Sequence, residues 1–137
     1  DALYAIVTGC MEDEFQQRVY ANPGMTLEQM NRLYAQLATA YGMEEVYGFS
    51  GMEWVLIPHS FQSPMYYISY AVSMVAALQL WEEQQTSEAE AWEAYWGIMM
   101  RGSYSDFRSV LMDNGLSDPL SETTIKRIAA LIDRSIP

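Results

Sequence analysis

The sequence has 137 residues, half of them hydrophobic, with 18 acidic against 7 basic residues and a formal net charge of −11. The length suits one domain with a real core, and the acidity opposes both nucleic acid and anionic membranes, whose phosphates call for Lys and Arg. One cysteine, Cys10, and one histidine, His59, leave no intramolecular disulfide, no Cys-rich zinc motif and no metal site built from histidines.

Helical periodicity runs through almost the whole chain. Residues 2–20 set Leu3, Val7, Cys10, Phe15 and Val19 on roughly one stripe, and Cys10 reads as a small buried hydrophobe. The consecutive acids Glu12, Asp13 and Glu14 point in different directions on a helix and read as a solvated face. Asn22-Pro23-Gly24 is a turn. Thr26 then opens a second helix, with Gln29 completing a capping box, and Gly42 is placed to end it. Residues 42–53, with three glycines, read as a loop, and Trp54–Phe61 as a short helix or irregular segment.

Ser63-Pro64 is a helix start, and the helix is expected over about 64–83. It is apolar on nearly all sides and is expected to be the most buried element. Its run 71–80 is broken by Ser73 and Gln79 and is too short to span a bilayer. Ser87 and Glu90 make a second capping box, opening a helix to about Met100 that Arg101-Gly102 closes. Ser105-Asp106 begins a short helix ending at Asn114-Gly115, and Ser121 caps a final amphipathic helix. With no strand pattern, repeat or linker, the expected fold is all-α, a single compact bundle over 1–137.

His59 stands just ahead of Tyr66, Tyr67 and Tyr70. As an isolated histidine it is commonly a packed or surface residue; as a functional one it would donate to a carbonyl or oxyanion. Tyrosines at i, i+3 and i, i+4 share a helix face and are usually core, although phenols also stabilise developing negative charge. No H-E-x-x-H, G-x-S-x-G, P-loop or G-x-G-x-x-G is present, so the chain lacks a complete catalytic set.

Three stretches nevertheless share an order with one family. "EDEFQQRVYANPGMT" (12–26), "HSFQSPMYYISYAVSMVAALQLW" (59–81) and "RGSYSDFRSVLMDNGLSDPL" (101–120) resemble successive segments of oligoendopeptidase F, a family of zinc oligopeptidases related to thimet oligopeptidase. The resemblance implies the C-terminal part of a mostly helical zincin-type catalytic domain, cut after the zinc helices. Zinc belongs to the intact enzyme and none to this chain alone. His59, Tyr67 and Tyr70 match the family residues that face substrate and the scissile carbonyl, with Tyr66 beside them in substrate binding. Met65 stands where Phe is usual, and Gln17 where His often follows Phe-Gln.

The implied partners are short peptide substrates and the missing N-terminal part of the same enzyme, with no nucleic acid and no membrane. Self-association through an exposed apolar face is expected if that part is absent. The single cysteine and the lack of a signal peptide point to a cytoplasmic protein, and the start at Asp1 to a fragment or processed product. Two alternatives stay open. One is a non-enzymatic helical peptide-binding or interaction module; the other is a small metal-binding bundle using Glu12, Glu14 and His59.

Overall fold

The computed structural model describes residues 2–101 and 105–135. They are all-α: eight helices and one 3₁₀ turn, with no strand among the described residues. Two compact units divide the chain, one up to Ala71 and the other from Val72.

The first unit holds α1 (Ala2–Tyr20), α2 (Leu27–Ala40), α3 (Met43–Tyr47), a 3₁₀ turn at Glu53–Leu56, α4 (His59–Gln62) and the first residues of α5 (Ile68–Thr86). The capping box at α2 forms in full: Thr26 Oγ1 accepts from Gln29 N–H, and Gln29 Oε1 accepts from Thr26 N–H at 2.8 Å. Met11, Phe15, Tyr34, Leu37, Ala38, Met43 and Trp54 make the core. The Phe15 ring stands edge-on to Tyr34 at 5.1 Å and tilted to Trp54 at 5.5 Å. Trp54 Nε1–H donates to Asn31 Oδ1 at 3.0 Å, so the indole is buried with its polar atom satisfied. Gly51 has φ of 115°, and a Cβ there would lie 2.7 Å from the Asn31 carbonyl oxygen, so only glycine fits.

Part of the expected loop over 42–53 is helical. Met43 is buried in the core, and α3 runs for five residues between Gly42 and Gly48, both left-handed. So short a helix shows no periodicity; what holds it is the Met43 anchor, with Glu44 and Glu45 favourable near its N-terminus. The expectation of depth is also corrected. The most deeply set helix of the first unit is α1, with Thr8, Gly9, Met11, Glu12, Phe15 and Gln16 all buried, whereas α5 buries Ala71, Val75, Ala76 and Gln79. Cys10 is only half-buried, and burial together with Asp13 pushes its thiol pKa up.

The second unit holds the rest of α5, then α6 (Glu88–Arg101), α7 (Phe107–Asp113) and α8 (Glu122–Ser135). Each later helix starts on the expected residue. Ser87 Oγ accepts from Glu90 N–H, Asp106 Oδ1 from Ser109 N–H at 3.0 Å, and Ser121 Oγ from Thr124 N–H at 3.1 Å. Gly115, with φ of 84°, ends α7 as Leu116 N–H returns to the Leu111 carbonyl. The expected stop at Arg101-Gly102 involves Gly102, which lies outside the described residues. Ala76, Leu111 and Leu116 form the core, with Leu80 and Ile98 packed on it. Gln79, buried beside them, is satisfied twice by Ser117: its Oε1 accepts from the backbone N–H at 2.8 Å and its Nε2–H donates to the carbonyl at 3.1 Å. Among the described residues no helix is long and apolar enough to cross a membrane.

Candidate active site

The helix expected to begin at Pro64 begins at Ile68. A residue before proline is pushed out of the α region, and Ser63 has φ of −144° and ψ of 67°. Ser63, Pro64, Met65 and Tyr66 then close a turn, with Tyr66 N–H donating to the Ser63 carbonyl at 3.2 Å. Proline stands second and Met65 third with φ of 63°, the signature of a type II turn. Position three of that turn normally takes glycine or asparagine, and a left-handed conformation costs another residue about 1–2 kcal/mol. Two further turns carry the chain into α5: Ser69 N–H donates to the Tyr66 carbonyl, and Tyr70 N–H to that of Tyr67.

This folding gathers the expected site residues around one imidazole. Tyr66 stacks on His59 at 5.6 Å with 14° between the ring planes. Tyr67 and Tyr70 stand edge-on to it, at 5.5 and 5.6 Å. The Tyr70 hydroxyl and His59 Nε2 lie 3.3 Å apart, at the weak end of the hydrogen-bond range. Tyr66 and Tyr67 precede α5 rather than riding on it, so the turn, not a shared helix face, brings them to Tyr70.

An open cleft of about 330 Å³ lies beside the cluster. Its wall includes Tyr4 and Thr8 from α1, Leu56 at the end of the 3₁₀ turn, and His59, Tyr67 and Tyr70; Tyr66 is not part of it. Tyr70 and Tyr66 are exposed, and His59 and Tyr67 half-buried. Burial, with smaller contributions from Tyr4 and Glu12, pushes the Tyr67 phenol pKa above its already high ordinary value, so the group is a proton donor at neutral pH. The cleft is thus lined by one imidazole, three phenols and a threonine, the rest of its wall being apolar. That combination can hold a partly apolar ligand and donate hydrogen bonds to an oxygen acceptor on it.

Two polar side chains near the site are buried, and one of them, Glu12, reads in the sequence as part of a solvated face. Glu12 is not solvated but fully buried, and Gln16 is buried with it. The signal was available: Thr8 and Phe15 lie at i−4 and i+3 of Glu12, and so share its stripe. Glu12 Oε1 accepts from the Tyr34 hydroxyl. Burial raises its pKa to about 7, against which the Tyr34 hydrogen bond acts only in part. Gln16 Oε1 accepts from Met65 N–H at 2.8 Å, linking α1 to the type II turn. Glu12 Oε2 and Gln16 Nε2 have no partner among the described residues. Asp13 and Glu14 are half-buried, and Glu14 Oε2 accepts from the Tyr41 hydroxyl at 2.7 Å.

The chain is similar over 98% of its length to a solved structure provisionally named oligoendopeptidase F, with a TM-score of 0.87 and 28% identity. A second, similarly named, from Bacillus anthracis strain Ames, matches over the same share with a TM-score of 0.76 and 27% identity. This chain resembles oligoendopeptidase F. It spans 25% and 21% of the length of those two chains. No family model and no curated protein matches it. A protein zinc site needs three or four ligands brought together, and the donors here do not fit one. There is a single histidine, and among the described residues no three His, Cys, Asp or Glu side chains come together. The Glu12, Glu14 and His59 grouping is therefore not formed. Glu12 Oε1 and Glu14 Oε2 are engaged by tyrosine hydroxyls, and His59 faces aromatic rings.

Proposed function

We propose that the chain is the C-terminal segment of a zinc-dependent oligoendopeptidase that hydrolyses internal bonds of short peptides. In this reading zinc is held by residues outside these 137, and the segment supplies substrate-binding and oxyanion-stabilising groups. The observation that carries it is the convergence of His59, Tyr67 and Tyr70 on one cleft, in a chain similar to oligoendopeptidase F from end to end. As water adds to a peptide carbonyl, its oxygen gains negative charge and needs polar hydrogens. Tyr70 and His59 supply them, and their own 3.3 Å contact is loose enough to be exchanged for a stronger one to an anion. When His59 Nε2–H donates to the Tyr70 oxygen, the phenol hydrogen is free to turn into the cleft. Tyr67 stays protonated at neutral pH and can act as a third donor, while Tyr66, stacked on His59, holds the imidazole plane.

The reading is tested on the longer protein that contains this segment, using internally quenched peptides cut between interior residues. His59→Ala should lower kcat while the protein stays folded. A protein that binds such peptides at the cleft without cutting them would leave the peptide-binding module as the better reading.

A further inference from the structure

We propose that Gln16 is a positioning residue: its side-chain carbonyl is a strut that fixes the Ser63–Tyr66 turn and so sets Tyr66 and Tyr67 against His59. The inference deepens the functional reading above and rests on it for its meaning in catalysis; the geometry stands without it.

Three observations converge. First, the turn is not self-sufficient. Met65 holds a φ of 63° that methionine disfavours, and the turn's own bond, Tyr66 N–H to Ser63 O, is long at 3.2 Å. Such a conformation persists only where its surroundings over-determine it. Second, one side chain from a distant part of the sequence meets the strained residue itself: Gln16 Oε1 accepts from Met65 N–H at 2.8 Å, across 49 positions. Third, Gln16 is an effective anchor because it is buried at 3% exposure on α1, one helical turn from buried Glu12 and next to core Phe15. An acceptor fixed in a packed helix cannot follow the turn, so the turn must come to it. Without the strut, Met65 would relax to negative φ, and the chain direction at Tyr66 would change. Tyr70, already inside α5, would stay.

His59 is the only histidine, so its ring protons report the cluster by NMR without ambiguity. Stacked on Tyr66 and flanked by Tyr67 and Tyr70, they should be displaced by ring currents. In the 137-residue chain, Gln16→Met removes the acceptor and keeps the bulk. We expect circular dichroism and cooperative unfolding to be retained, while the His59 signals lose part of their displacement and broaden. Adding Met65→Gly should restore the displacement, because glycine adopts positive φ unaided. In the unsubstituted chain the Met65 amide should exchange with solvent far more slowly than exposed turn amides, a measurement that holds even if Gln16→Met does not fold. A folded Gln16→Met chain with unchanged His59 signals would overturn the proposal, as would fast exchange at Met65. None of these readouts uses a substrate, so they can succeed where peptide hydrolysis fails, and the two readings fail separately.

Discussion

Glu12 is the residue whose surroundings have the clearest measurable consequence. Its carboxyl lies fully buried, with one oxygen bonded to Tyr34 and the other without a partner among the described residues. Burial raises its pKa from 4.5 to about 7 in the folded state. Between those values the folded chain binds the proton that the unfolded chain has lost, so stability falls as pH rises from about 4.5 to about 7 and is unaffected by this group outside that window. The full effect is about 3 kcal/mol. Glu12→Gln keeps an acceptor for Tyr34 and removes the titration. Denaturant unfolding at pH 5, 6 and 7.5 should show the variant gaining on the parent by about 2–3 kcal/mol across the series; parallel curves would mean that Glu12 is not held as a buried acid. Glu53 acts in another range. Its own burial would raise its pKa, but backbone hydrogen bonds from Ser50 and Gly51, and the Ser50 hydroxyl, outweigh that and lower it to about 2. Its contribution is present above about pH 4.5 and lost as pH falls towards 2. The contributions of these two groups together are therefore most favourable in mildly acidic solution.

Among the elements, the approach of α1 to the start of α5 decides where Tyr70 stands. A Cβ on Gly9 would lie 2.8 Å from Ala71 Cβ and 3.2 Å from its backbone nitrogen, and neither can swing aside as a long side chain would. Gly9→Ala should thus cost about 1–3 kcal/mol, less the few tenths to 1 kcal/mol by which alanine favours a helix. A melting temperature equal to or above the parent's would show that the helices part freely. The helices themselves were legible wherever a side chain caps its own backbone: Thr26, Ser87, Asp106 and Ser121 each act at the position read from sequence. Legibility failed at residues 63–67, where Ser-Pro reads equally as a helix start or as the opening of a type II turn. The strained Met65 and its distant partner Gln16 decide for the turn, and no local pattern announces either. It failed again on α1, where an unbroken acidic run hid a glutamate on the buried stripe. His59, Tyr67 and Tyr70 come together through the Ser63–Tyr66 turn rather than through the shared helix face that spacing offered.

For the whole molecule, the 137-residue chain should retain no equivalent of zinc after dialysis against the metal, because its single histidine meets no pair of further ligands among the described residues. A tightly held equivalent would place a metal site inside the chain. Tyr66 at 49% and Tyr70 at 42% exposure form an aromatic patch beside the cleft, so the isolated chain should bind a fluorescent hydrophobic dye or self-associate in sedimentation. A monomer that binds no dye would count against a surface awaiting a partner. The central claim of the proposed function is that the Tyr70 hydroxyl meets the reacting carbonyl, and Tyr70→Phe in the longer protein proposed to contain this segment tests it most directly. That variant keeps the ring contacts with His59, Tyr66 and Tyr67 and removes one donor. An oxyanion donor acts in the transition state alone, so kcat should fall by about 10²–10³-fold with KM nearly unchanged. A kcat equal to the parent's would contradict the claim and return Tyr70 to a packing role.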